Sequence, residues 1–262
     1  ILIGIIWADA TKEKPIDWRE SYSLNEKNPF GLYVFNQEHK AIFKPQTVEK
    51  FSESPYEFLD KNYNTYDSIY DIEGTILLIQ NKSAIDEFSE NELFYFASHR
   101  NAIFYSNSNF SQKFADSLGF EIEYSNDFAD SLQFKINQNQ KAGNFYFNKG
   151  INTAYFSKID SSKTEVLGTQ INSKGEEFAN FIKVKHLNGN FYLHLQPVAF
   201  TNYYLLNKNS QYTEDILGYI PSKSPIYWKV KQYDNEELSS SPMRYLLSQP
   251  ALKWAWFLAW IT

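Results

Sequence analysis

Two short runs with no polar break, and the amphipathic segment between them, constrain this chain more than any other feature. Thr75–Gln80 reads TILLIQ and Ala102–Ser106 reads AIFYS. A strand with one face in water alternates apolar and polar residues, whereas an unbroken apolar strand must be covered on both faces. Between the runs, Ser89-Glu90-Asn91-Glu92 has the form of a capping box. It predicts a helix whose Leu93, Phe96 and Ala97 share one face. After the second run, Phe110, Phe114 and Leu118 recur four apart, and Gly119 is placed to close a helix. Residues 75–119 therefore read strand, helix, strand, helix, which predicts parallel pairing in a layered α/β fold.

The flanking sequence extends this pattern on one side and changes it on the other. Asn28-Pro29 predicts a helix start, with Asn as cap and Pro in the first turn, leading into Phe30–Phe43; the β-rich GLYVF allows a strand there instead. Ser54-Pro55-Tyr56-Glu57 is a second capping box and predicts a short helix to about Lys61. After Gly119, apolar and polar residues alternate in Phe120–Tyr124, Leu132–Ile136, Asn144–Asn148, Ala154–Ser157 and Phe181–Lys185. Asn188-Gly189 separates the last of these from Phe191–Leu195, a hairpin signal. The second half is thus expected to be β-rich and antiparallel, with a helix at Tyr212–Ile220 and a strand at Ile226–Val230.

Composition narrows the function classes. With 22 Phe and 19 Tyr in 262 residues, much of the core must be built from rings. A net charge of −6 argues against nucleic acid, which needs concentrated Lys and Arg. The absence of Cys excludes disulfides, thiolate metal sites and Cys nucleophiles. No two His residues have helical metal-site spacing and no glycine-rich phosphate loop is present, so no metal or cofactor is expected.

Both ends are apolar. Ile1–Ala8 reads ILIGIIWA, and Leu246–Thr262 carries Trp254, Trp256 and Trp260 like an interfacial belt, with Lys253 placed to snorkel. Neither reaches the ~20 residues that a spanning helix needs, so both could be amphipathic or core segments; the missing initiator Met and the aromatic belt favour cut membrane helices, with a signal peptide the rival at the first. The expected organisation is the end of one membrane helix at 1–8 and a linker at 9–27. An extracytoplasmic α/β domain follows at 28–234, then a linker at 235–245 and the start of a second membrane helix at 246–262.

Several long phrases carry a family resemblance: NPFGLYVFNQE (Asn28–Glu38), GNFYLHLQPVAFTNYYLL (Gly189–Leu206), SPIYWKV (Ser224–Val230) and SPMRYLLSQPALKWAWFLAW (Ser241–Trp260). The chain resembles the family called domain of unknown function 4350, in a pattern similar to its Bacteroidetes members. That resemblance implies a bacterial inner-membrane protein with one helix on each side of a periplasmic domain. The implied fold is a flavodoxin-like three-layer α/β sandwich similar to the class I glutamine amidotransferases. The implied partners are a MoxR-type AAA+ ATPase and a protein with a von Willebrand factor A domain. No catalytic activity is implied, and amidotransferase chemistry is excluded because its Cys is missing.

Candidate site residues follow from position. Ligands of open α/β sheets bind at the carboxyl ends of strands, which singles out Ser106, Asn107 and Ser108 after the second apolar run. Either Ser could act as a nucleophile or an anion ligand; the structural alternative makes Ser108 a helix cap. His194 in FYLHLQP could serve as a base, or as a hydrogen-bonded, half-buried ring. Thr201, Asn202 and Tyr203 could line a pocket or a partner surface, or cap a turn and fill the core. Asp86, Glu87, Glu90 and Glu92 read as a solvated helix start. The favoured function is a non-enzymatic, membrane-anchored ligand- or protein-binding module. The alternatives are an envelope hydrolase using Ser106 or Ser108, and an assembly scaffold with an apolar patch on residues 189–206.

Overall fold

A computed structural model describes residues 15–81, 85–125, 131–137, 144–207 and 209–231. The expected membrane segments, 1–8 and 246–262, lie outside the described residues, as do the 235–245 linker and the start of the first linker. No helix among the described residues is long and apolar enough to cross a membrane.

The chain is α/β. In order it forms α1 (Tyr33–Ile42), β1 (Val48–Phe51), α2 (Pro55–Lys61), a small hairpin of β2 (Tyr63–Asn64) and β3 (Ile69–Tyr70), then β4 (Thr75–Ile79), α3 (Glu87–Ser98), β5 (Ala102–Ser106) and α4 (Gln112–Leu118). Six strands follow: β6 (Phe120–Tyr124), β7 (Leu132–Ile136), β8 (Phe145–Phe147), β9 (Ala154–Ile159), β10 (Thr164–Ile171) and β11 (Glu177–His186). After β12 (Gly189–His194) come a 3₁₀ turn (Pro197–Phe200), α5 (Asn202–Leu205), α6 (Ser210–Leu217) and β13 (Ile226–Lys229).

One 11-stranded sheet runs β1-β13-β4-β5-β12-β11-β10-β7-β8, with β9 pairing β11 and β6 pairing β9. The first four pairings are parallel and the rest antiparallel. Side chains of a strand alternate between faces, so the apolar runs feed two cores. Ile76, Leu78, Ile103 and Tyr105 meet α2, α3 and α4 on one face through Phe58, Phe96 and Phe114. Leu77, Ile79 and Phe104 meet α1, α5 and α6 on the other through Phe35, Tyr204 and Tyr212. All ten residues of β4 and β5 are buried, as their unbroken apolar sequence required.

Several local expectations need correction. The first helix is capped at Leu32 rather than Asn28, whose carbonyl instead accepts from the Asn202 amide at 2.8 Å. Tyr22 and Leu24, in the stretch read as linker, are buried in the core, so packing begins before residue 28. The third helix starts at Glu87, because Asp86 reaches the Ser89 amide (2.9 Å) one turn earlier than the anticipated Ser89 cap. Glu90 is therefore inside this helix and buried, accepting from the Ser111 hydroxyl at 2.8 Å, and not part of a solvated start. Phe110 precedes α4 rather than lying in it, since Ser111 is the cap. The Ser54 capping box and the left-handed Gly119 closure form as expected.

Candidate functional site

The register of β5 against β12 places Ser106 directly beside His194 at the carboxyl ends of two neighbouring parallel strands. Their side chains point to the same face, and Ser106 Oγ lies 2.9 Å from His194 Nδ1. The other ring nitrogen, Nε2, lies 3.1 Å from the Tyr212 hydroxyl on α6. Tyr212 in turn accepts from Asn180 Nδ2 of β11 at 3.2 Å. Phe181 and Phe200 stand edge-on to the imidazole at 5.6 and 5.8 Å.

All four polar residues are 0 % exposed. Burial pushes the His194 pKa down to about 3 and raises that of Tyr212, because an apolar interior penalises the charged forms. The chain is thus neutral. Ser106 and Tyr212 each share a hydrogen bond with one nitrogen of the neutral ring. No carboxylate orients the ring, and a base with so low a pKa is poorly matched to neutral pH. The spacing of a Ser–His pair is present without an approach for substrate. The half-buried His expected from sequence is fully enclosed.

The other anticipated residues serve the same edge structurally. The Asn107 amide donates to the His194 carbonyl at 3.0 Å and its Nδ2 donates to the Tyr105 hydroxyl at 3.0 Å. Ser108 is not the helix cap. Its hydroxyl donates to Asn81, just past β4, and its carbonyl accepts from Tyr124 at 3.2 Å. Thr201 donates to the Val198 carbonyl at 2.6 Å and is buried. Asn202 is a clamp: Oδ1 accepts from the Val34 amide at 2.7 Å, and Nδ2 donates to the carbonyls of Glu26 (2.9 Å) and Asn28 (2.8 Å). Tyr203 is half-buried, with its ring 5.4 Å from Trp18. The structure unites Ser106, Asn107 and His194, and leaves Thr201, Asn202 and Tyr203 bonded elsewhere. The apolar patch that a scaffold would need on 189–206 is absent, since Leu206 is the large hydrophobic residue exposed there.

Sequence reasoning missed Tyr212 and Asn180, which complete the buried chain, and a second polar knot in which Gln196 donates to the Asn152 carbonyl (2.7 Å) and to Gln170 (3.3 Å). No sequence signal marks them, because each reads as an ordinary residue of its element. Among the described residues, no three His, Asp or Glu side chains gather as metal ligands. A groove of about 530 Å³ lies between α1 and α6, lined by Val34, Glu38, Phe43, Thr213, Glu214 and Leu217.

No family model matches this sequence, and no curated relative does. Among solved structures, it is similar to an exo-β-1,4-mannosidase, Op5Man5, from Opitutaceae bacterium strain TAV5, at 12% identity and a TM-score of 0.40 over 57% of this chain and 25% of that one. It is similar to a cold-adapted β-galactosidase from Rahnella sp. R3, at 11% identity and a TM-score of 0.37 over 56% of this chain and 22% of that one. A ThuA-like protein from Bacteroides uniformis ATCC 8492 matches at 10% identity and a TM-score of 0.39, over 69% of this chain and 94% of that one. The chain spans about a quarter of the length of the two glycosidases. At these scores the likenesses carry no argument about function.

Proposed function

We propose that this chain is a membrane-anchored, non-catalytic binding module whose α/β domain lies outside the cytoplasm of a bacterial inner membrane. The observation that carries the reading is the burial of the Ser106–His194 pair, which has nucleophile–base spacing but no exposure. An envelope hydrolase using Ser106 or Ser108 would need that edge to open, and both residues are tied into it. The finer fold we assign is a flavodoxin-like, amidotransferase-like three-layer sandwich, supported by five parallel strands with helices on both faces.

Anchoring is supported by the apolar, Trp-rich segment at 246–262 and by where the described flanks meet. Asn81 donates to Glu20 at 2.5 Å just past β4, and the Lys231 ammonium donates to the Ser21 carbonyl. Both flanks thus reach the carboxyl edge of the parallel sheet, the arrangement that two helices in one bilayer require. The module works with a MoxR-type AAA+ ATPase and a von Willebrand factor A protein.

The test is a crosslinked pull-down of the full-length tagged protein from native membranes, read by mass spectrometry. Recovery of both partner types, unchanged in Ser106→Ala, is expected. Recovery of the protein alone, or a hydrolytic activity lost in Ser106→Ala, would overturn the reading.

A further inference from the structure

At the opposite, amino edge of the same strands lies an open trough of about 670 Å³, bounded by the start of β5, the β11–β12 turn and the β2–β3 hairpin. Its walls include Ile69, Tyr70, Glu73, His99, Arg100 and Leu187. We infer that this trough is a peptide-docking site of the module, taking a segment of a protein partner that presents an acidic side chain beside an apolar one.

Three observations point there. Arg100 is exposed and its guanidinium meets no hydrogen bond or ion pair among the described residues. A guanidinium is a fork for a carboxylate, and a free one on a concave surface is complementary to an acidic group. Leu187 is 67% exposed and Ile69 47%, on either side of the trough. They form an apolar contact surface next to that charge. Finally, the backbone is strained here. Of the four non-glycine residues with positive φ among the described residues, Arg100 (70°) and Leu187 (51°) line the trough and Ser68 (53°) adjoins it. Both positions are chain turns, the close of α3 and the β11–β12 loop, where Gly or Asn is the usual residue, so an Arg and an exposed Leu there carry a backbone cost.

Glu73 on the same wall is also without a partner among the described residues, and would receive a donor from the docked chain. The open shape suits an extended segment rather than an enclosed small molecule. The placement rests on the module reading. With both flanks at the carboxyl edge, the trough sits a strand's length away, about 17 Å, and faces away from the bilayer.

The experiment is selection of random peptides displayed on phage against the detergent-solubilised full chain, followed by titration of a synthetic peptide from the enriched pool. Enrichment of Asp or Glu next to Leu, Ile or Phe is expected. Arg100→Asn, which the left-handed backbone accepts, should weaken the peptide at least tenfold. Leu187→Asn should weaken it several-fold while raising Tm, because it relieves strain. A selection that yields no acidic peptide, or a peptide that binds Arg100→Asn as tightly as the parent, overturns the proposal. So does a Leu187→Asn variant with a lowered Tm and unchanged binding. Such a failure leaves the module standing if the pull-down still recovers its partners. A Ser106-dependent hydrolytic activity would sink the module without touching the trough.

Discussion

An imidazole sealed among Phe181, Phe200 and Tyr212 cannot take a proton without giving up hydration that its surroundings do not replace. The unfolded chain titrates this His near pH 6.5 and the folded chain only near pH 3. Between those values the unfolded state holds the extra proton, so stability present at neutral pH is lost as pH falls from about 6.5 toward 3. At pH 5 the loss from His194 alone is on the order of 2 kcal/mol. Burial also lowers the pKa of His39 and His186, which adds to the loss with the same sign. Urea unfolding at pH 7.5 and pH 5 tests this, with His194→Gln as the comparison. The deficit of the variant should shrink in acid, and an equal deficit at both pH values would remove His194 as the acid-labile group. Tyr212→Phe should cost about 1–3 kcal/mol at pH 7.5, because it leaves His194 Nε2 and the Asn180 amide without their partner. None of this chain of contacts was legible in the sequence. Ser106 and His194 were each singled out, but their meeting depends on a register between strands 88 residues apart.

At the scale of elements, caps and close approaches set the boundaries. Ser54 accepts from the Glu57 amide at 3.2 Å and Glu57 returns to the Ser54 amide at 3.0 Å, so Ser54→Ala should cost about 1 kcal/mol in a denaturant midpoint. Gly189 opens β12 where the chain passes the end of α3. A Cβ there would fall 2.1 Å from the Ala97 carbonyl oxygen and 2.2 Å from that of Asn101. Gly189→Ala should therefore destabilise by more than the ~1–3 kcal/mol of ordinary overpacking. Gly175→Ala meets open space and should cost only the left-handed backbone penalty, about 1 kcal/mol. Near-equal losses in the two variants would contradict this account. The elements that were readable in sequence owe it to local rules. TILLI and AIFYS are nearly all apolar because both faces are covered, and the Asn188-Gly189 signal found the hairpin one residue late, since the loop is Leu187-Asn188 and Gly189 already pairs with His186. The ones missed lacked such a signature: β1 is VEKF, with one buried residue, the β2–β3 hairpin is two residues a side, and the eight-residue β10 has its alternation broken by register shifts around Gly168. The Ser89 cap was misplaced because Asp86 offered a carboxylate acceptor one turn upstream of the Ser89 hydroxyl, and sequence does not rank two adequate caps.

For the whole molecule, one continuous sheet joins a parallel half to an antiparallel half, so the two are not independent units. Tryptophan fluorescence and far-UV circular dichroism should follow a single urea transition with coincident midpoints; two separated midpoints would show that β12–β11 is a boundary rather than a bond. The absence of Cys makes orientation testable with one introduced thiol. Tyr66 is 97% exposed on the hairpin at the trough edge, so Tyr66→Cys should react with a membrane-impermeant maleimide added outside intact spheroplasts. Labelling only after lysis would place the domain on the cytoplasmic side. The α/β class was legible from residues 75–119 and the β11–β12 hairpin from its turn, while the joining of the halves into one sheet was not, since it rests on the long-range β5–β12 pairing. The position of β13 has a consequence for how the protein is made. This strand, at residues 226–229, inserts between β1 at 48–51 and β4 at 75–79. Until it emerges from the ribosome, β1 and β4 each present a bare edge toward the other, open to pairing with any strand nearby. The sheet is closed by a keystone delivered late, so a chain cut short before Ile226 keeps two unpaired strand edges and should aggregate where the full chain stays dispersed.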